Sequence, residues 1–291
     1  MSIGMNGTCI SCRVDRIIKT VGPLGTEQQL TEFLKAWMKM ASEYEPWVDS
    51  ARCGHYTDLL VKKLYGIDPA DLMAEDRRAS NAFVVERLEE IRRRVESAAD
   101  PVYAALQYAV LGNYLDFAAL AGKISYAELD AMLDKAKEMD LDREEAARFA
   151  ADLQKGKKFL IITDNAGEIG FDRVLAQVMQ KLYPHLEITF CVRGVPVAND
   201  ATREDARAVG IEFAVIDSGN GVGGTAMELL SDEAKNAVET ADVILAKGMG
   251  NTESMFGCGY NVYYAFLIKC ARFVELFGGS IMKPMLVKEQ K

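Results

Sequence analysis

Histidine is scarce: the 291 residues include only two, His55 and His185. With no Ser/His/Asp grouping in view, nucleophilic catalysis built on an imidazole base has little support. Basic charge is short as well. The 34 Lys and Arg are outnumbered by 43 Asp and Glu, giving a net charge of −9. That argues against a general nucleic-acid surface, because a phosphate backbone calls for clustered Lys and Arg. An acidic protein that handles anions needs a metal ion or a local basic group to offset its own field. No apolar run reaches the length of a membrane span, and Met1-Ser-Ile-Gly-Met-Asn-Gly7 lacks a signal-peptide core. The expected location is therefore the cytoplasm, with no membrane partner. Six cysteines, at 9, 12, 53, 191, 258 and 270, do not suggest a disulfide scaffold in a chain this long. Internal repeats and low-complexity tracts are absent.

What is present falls into two parts. The first reads as helices. Thr26-Glu-Gln-Gln29 is a capping box before Leu30, Phe33, Leu34, Trp37 and Met38, spaced as one amphipathic face. Further helices are expected over 49–65 and 79–98. Asp100-Pro101 opens another, apolar nearly all round, to about Ala121. Ser125-Tyr-Ala-Glu128 is a second capping box, and Asp142 starts a last helix ending near Gln154. Lys155-Gly-Lys-Lys158 is a polar break. It sets the expected boundary between a helical domain, 1–155, and an αβα domain, 156–291.

Beyond the break the periodicity changes. Strands are expected over 159–163, 187–193, 211–217 and 242–246, with a last one within 281–287. Helices are expected over 168–178, 201–209, 225–238 (Thr225/Glu228 as capping box) and 262–277. This βαβ order implies an α/β class with a parallel sheet and helices on both faces.

Ligands of such sheets bind outside the carboxyl ends of the strands, and polar residues gather there. The first strand delivers Asp164 and Asn165, followed by Ala166-Gly167-Glu168 opening a helix. A carboxylate and an amide oxygen can share a hard cation such as Mg²⁺ or Mn²⁺, and free amides at the helix start suit phosphate. The bland reading is equally open: Asn165 and Glu168 match an N-cap with its capping-box partner. Asp200, with Asn199, also stands just before a helix and reads as a cap. Together with Asp164 and Asn165, however, it completes a three-oxygen set for an octahedral ion. Lys247 ends an otherwise apolar strand, where its natural partner is a phosphate.

Gly219-Asn-Gly221-Val-Gly-Gly224 fits the dinucleotide or adenosylmethionine fingerprint, although it follows the third strand rather than the first. Four glycines can equally form a flexible loop over a site. Asn113 and Asp116 interrupt an apolar helix on one face, as a satisfied core network or as a contribution to the site. Cys9-Ile-Ser-Cys12 with Cys53 and His55 has the composition of a structural zinc set.

Four motifs resemble the metal-dependent damage-control phosphatase family, long catalogued as a domain of unknown function. They are Asp164-Asn-Ala-Gly-Glu-x-x-x-Asp172, Arg193-Gly-x-Pro-x-x-Asn-Asp-Ala-Thr202, Ala246-Lys-Gly-Met-Gly-Asn-x-Glu253 and Gly112-Asn-x-x-Asp-Phe117. Cys9-x-x-Cys12 is similar to a feature of the family's prokaryotic branch. The resemblance implies a helical domain on a Rossmann-like domain and hydrolysis of phosphate monoesters of small metabolites. It also implies one divalent cation (Mg²⁺, Mn²⁺, Co²⁺ or Ni²⁺) on Asp164, Asn165 and Asp200. Lys247 carries over as a phosphate contact, and Glu168, Arg193, Asn113 and Asp116 as site or supporting groups. The amides near Gly167 would neutralise remaining charge. An adenosylmethionine-dependent carboxyl methyltransferase and a non-catalytic metabolite-binding module are the competing classes. An aspartyl-phosphate route is disfavoured, because Ala166 stands where a D-x-D motif has its second acid.

Overall fold

A computed structural model describes residues 2–45, 48–115 and 126–289. The described helices before the sheet are α1 (Gly7–Val21), α2 (Glu27–Ser42), α3 (Ser50–Tyr65), α4 (Ala74–Val85), α5 (Leu88–Glu96), α6 (Pro101–Leu111), α7 (Tyr126–Asp134) and α8 (Arg143–Lys155). The Thr26/Gln29 capping box forms at α2, and Asp100 and Asp142 cap α6 and α8 as their sequences indicate. The helix expected over 79–98 is two helices, broken between Val85 and Leu88. The α6 helix stops at Leu111, where a short 3-10 segment, Gly112–Leu115, takes over. Asp116, Phe117 and Ser125 lie outside the described residues.

The sheet contains β1 (Lys158–Ile162), β2 (Glu187–Val192), β3 (Ala214–Asp217), β4 (Val243–Lys247), β5 (Val262–Leu267) and β6 (Pro284–Lys288). Its order is β3-β2-β1-β4-β5-β6, parallel except for the β5–β6 pair. Between its strands run α9 (Glu168–Leu182), α10 (Arg203–Ala208), α11 (Asp232–Thr240), α12 (Gly248–Met255) and α13 (Ala271–Phe277). Two expectations need correction. The span 262–277 is a strand followed by a short helix, because its buried run Val262–Leu267 pairs with both β4 and β6. Thr225 caps nothing: Met227–Leu229 is a 3-10 turn, and α11 begins at Asp232 under a Ser231 cap.

The period-two alternation of buried strands separates two apolar layers. Phe159 and Ile161 of β1 face one layer with Val243 and Leu245 of β4, while Leu160, Ile162, Ile244 and Ala246 face the other. The first layer is filled by α9 together with α4, α5, α6 and α8. The break at 155/156 is therefore a change of secondary structure, and one apolar core crosses it. Helices α1, α2 and α3 gather a separate cluster around Ile17, Phe33, Trp37 and Val61. Close approach of α4 to α9 depends on Gly170, where a Cβ would lie 2.6 Å from Val84 Cγ1. Strand order reverses between β1 and β4, and a crevice at such a switch point is where an open α/β sheet binds ligands.

Candidate active site

Asp164 and Asn165 leave the end of β1, and Asp200 lies on the loop after β2. An isolated antiparallel bridge pairs Asn165 with Asp200. The Ala201 amide donates to the Asp164 carbonyl at 2.7 Å, and the Ala166 amide to the Asn199 carbonyl at 2.8 Å. The two loops thus form one unit. This geometry decides against the capping readings. The residue capping α9 is Gly167, with φ of 74° and no side-chain cap. Thr202, boxed with Asp205, caps α10. Neither Asn165 nor Asp200 caps a helix.

Two amides hold the carboxylates from behind. Asn113 Nδ2 donates to Asp164 Oδ2 and Glu168 Oε2, both at 2.9 Å, and Asn165 Nδ2 donates to the same two oxygens, both at 2.8 Å. Asn113 is itself fixed by the Leu267 amide, which donates to its Oδ1 at 3.3 Å. With Nδ2 of Asn165 committed to these acceptors, its Oδ1 lies on the opposite side of the amide. At Gly248 (φ 78°) a Cβ would fall 2.0 Å from Asp164 Oδ2, so only glycine lets β4 end this close.

Arg193 supports Asp200. Its Nε donates to Asp200 Oδ2 at 2.6 Å, while its NH1 and NH2 donate to Gly224 O (3.1 Å) and Asn251 Oδ1 (3.0 Å). At 1% exposure the guanidinium is buried, and its Nε orients the Asp200 carboxylate. Lys247 is deeper still. Its ammonium is fully buried and donates to Ala109 O (2.9 Å), Glu168 Oε1 (2.9 Å) and Asp172 Oδ1 (2.5 Å). All three protons are engaged, so the direct phosphate contact expected from the sequence would require Lys247 to leave these acceptors. The Gly167 amide is likewise occupied, donating to Asn81 Oδ1 at 2.7 Å. Burial pushes Asp172 up to about 7 against the pull of Lys247. Burial works against the Lys247 charge, yet Asp172 and Glu168 outweigh it and raise its pKa.

The Gly219–Gly224 loop is packed, not free. A Cβ at Gly224 would lie 2.6 Å from Gly250 O, and one at Gly250 would lie 2.0 Å from Gly223 O. His55 Nδ1 meets Gly221 O at 3.1 Å, and Arg52 grips Glu228 with two bonds of 2.6 and 2.7 Å. The loop leads into a 3-10 turn, so the helix N-terminus that a dinucleotide fingerprint requires is not there. Among the described residues, no three Cys, His, Asp or Glu side chains converge to hold a metal. The zinc set drawn from Cys9, Cys12, Cys53 and His55 is therefore not assembled. Cys53 is fully buried, and burial pushes its thiol up.

The fit to a cation rests on donor chemistry. Glu168 and Asp172 answer Lys247, Asp200 answers Arg193, and Asp164 adds a further carboxylate, all within buried surroundings. Asp164, Asp200 and Asn165 Oδ1 form a hard oxygen set, as Mg²⁺ or Mn²⁺ prefers. The described residues thus fit a divalent ion.

The model of the damage-control phosphatase ARMT1-like domain matches residues 5–283. The chain belongs to this family. A protein named damage-control phosphatase from Archaeoglobus fulgidus is 32% identical over 198 residues, 67% of each chain. One of the same name from Pyrococcus horikoshii is 27% identical over 281 residues, 94% of each chain. An uncharacterized protein of Methanocaldococcus jannaschii is 28% identical over 302 residues, covering 99% of this chain and 96% of that one. The solved structure of a DUF89 family protein from Pyrococcus horikoshii shares the fold. Its TM-score is 0.84 at 23% identity, with 99% of each chain covered.

Several residues that build this site stand in the motifs quoted above but are given no role there. Asn251 ties β1 to β4 through Thr163 O (3.0 Å) and Lys247 O (2.6 Å). Asp172 stands four residues after Glu168 on an otherwise apolar helix face. That spacing is itself a signal for a shared buried cation. Glu253, a turn beyond Gly250, has its carboxyl pushed up to about 7 by burial, with Arg13 and Arg16 pulling it back. A carboxyl held above its ordinary value stabilises the fold below about pH 4.5, and that contribution is lost as pH rises through about 7. Glu253→Gln, which cannot ionise, should therefore gain on wild type by about 1–3 kcal/mol between pH 5 and pH 8. Paired thermal melts at the two pH values check this; a difference that stays flat with pH refutes it.

Proposed function

We propose that the chain is a divalent-metal-dependent phosphatase acting on phosphate monoesters of small metabolites. The observation that carries this reading is the paired placement of Asp164–Asn165 and Asp200, each loop backed by its own buried supports. Asp164, Asn165 and Asp200 would hold the cation. When bound, it would polarise the phosphoryl group and neutralise charge developing in the transition state. Asn113 and Asn165 orient Asp164 and Glu168 by donating to both carboxylates. Arg193 does the same for Asp200. Lys247 acts through Glu168 and Asp172, fixing the charge behind the site. Family membership supports the phosphatase class, and the hard oxygen set of Asp164, Asn165 and Asp200 supports the metal. The packed glycine loop weighs against the methyltransferase reading.

The test is phosphate release from a panel of sugar phosphates and p-nitrophenyl phosphate with Mg²⁺, Mn²⁺, Co²⁺, Ni²⁺ or EDTA. Release that depends on a divalent ion supports the reading. Release undiminished in EDTA removes the metal, and none on any member of a broad panel favours a binding module.

A further inference from the structure

The two ligand loops do not rest on the sheet alone. Helix α4, on the far side of the 155/156 break, reaches both of them with residues one turn apart. Asn81 is 4% exposed. Its Oδ1 accepts from the Gly167 amide at 2.7 Å, and its Nδ2 donates to Asp205 Oδ1 at 2.8 Å. Gly167 is the positive-φ residue between Asn165 and Glu168. Asp205 is the capping-box acid of α10, and its Oδ2 receives Thr202 N (2.8 Å) and Oγ1 (2.7 Å) just after Asp200. One amide therefore ties the Asp164–Glu168 turn to the Asp200–Asp205 turn. Arg77, four residues earlier, donates from NH1 to Ala198 O at 2.9 Å and to Ala70 O at 3.1 Å. Ala198 has φ of 44°, a left-handed conformation that costs an L-residue roughly 1–2 kcal/mol. It stands two residues before Asp200, and strain at such a place persists only where surrounding contacts enforce it.

We propose that Asn81 is a positioning residue that sets the spacing between the Asp164/Asn165 loop and the Asp200 loop, with Arg77 holding the strained approach to Asp200. The helical part of the chain thereby contributes to the site geometrically, through a face of α4 that touches no ligand. This inference rests on the metal-site reading above, and it concerns affinity as well as turnover. Supporting groups one layer behind metal ligands typically change metal affinity 10- to 100-fold.

Mn²⁺ affinity, measured by calorimetry alongside phosphate release, tests the role in wild type, Asn81→Ala, Asn81→Asp and Val84→Ala. Val84, on α4 with Asn81, packs against Gly170 of α9 with an apolar side chain that makes no hydrogen bond. Val84→Ala therefore reports on loss of stability alone. Asn81→Ala should weaken Mn²⁺ binding 10- to 100-fold, whereas Val84→Ala should stay within about twofold of wild type. In Asn81→Asp the new carboxylate faces Asp205. Two acids this close share one proton. The Asn81→Asp defect should thus be small near pH 5.5 and should grow towards pH 8, relative to wild type at each pH. A merely structural role would not produce that recovery. An Asn81→Ala variant with wild-type Mn²⁺ affinity, or a Val84→Ala variant that loses as much, overturns the proposal. A wild-type protein that binds Mn²⁺ but releases no phosphate would overturn only the phosphatase reading, since the variants' affinities still decide the role of Asn81.

Discussion

Asp164→Ala should lower the rate of metal-dependent phosphate release by 10³-fold or more while leaving the fold at least as stable as wild type in EDTA. Both halves follow from one piece of geometry. On the proposed reading Asp164 would supply one of the two carboxylates that hold the cation, and electrostatic groups acting on developing charge are worth several kcal/mol each. Without a cation, however, Asp164 Oδ2 and Glu168 Oε2 converge on the same two amide nitrogens, so two carboxylates that share their donors also repel each other. Removing Asp164 relieves that repulsion. Adding Mn²⁺ should raise the wild-type melting temperature, because a ligand that binds only the folded state stabilises it, and should leave the variant unmoved. Melting curves of both proteins in EDTA and in Mn²⁺, run beside the activity assay, read all of this at once. Full activity in the variant, or an Mn²⁺ shift equal to that of wild type, would remove Asp164 from the site.

Lys247→Met should be the most destabilising single change, at about 3–5 kcal/mol. Breaking a buried ion pair by removing one partner leaves uncompensated buried charge. Lys247 lies between Glu168 and Asp172, and all three side chains are fully buried. Asp172 already sits near 7 and has an oxygen, Oδ2, without a hydrogen-bond partner among the described residues. Losing the ammonium raises it further, so the deficit should be deeper at pH 8 than at pH 6. The double variant Lys247→Met/Asp172→Leu should recover much of the loss, since replacing both charged partners by apolar groups costs far less than orphaning one. Urea denaturation of the wild type, both single variants and the double variant closes the cycle. A loss under 1 kcal/mol for Lys247→Met, or a double variant no better than it, would show that the burial energetics have been misread.

Phe159–Ile162 and Val243–Ala246 are apolar without interruption, which by itself dictated buried parallel strands. The same pattern put Asp164 and Lys247 at their carboxyl ends. Local chemistry also fixed the caps at Thr26, Asp100 and Asp142, where the side chain and the amides it binds are three residues apart at most. Local reasoning failed at 262–277, where apolar residues fit either period. Pairing with β4 and β6 made the first part a strand. It left the capping and ligand readings of Asn165 and Asp200 open, because both assign an oxygen atom to the same place in the chain. Only the fold, with Gly167 and Thr202 at the two N-caps, removes the capping reading. Sequence also could not tell that Lys247 and the Gly167 amide would be used internally. Their partners Asp172 and Asn81 lie 75 and 86 residues away. Secondary structure is written in neighbours along the chain, whereas the protonation and orientation of a buried group depend on whatever the fold packs against it. The tie from α4 through Asn81 to Gly167 and Asp205 is of that second kind.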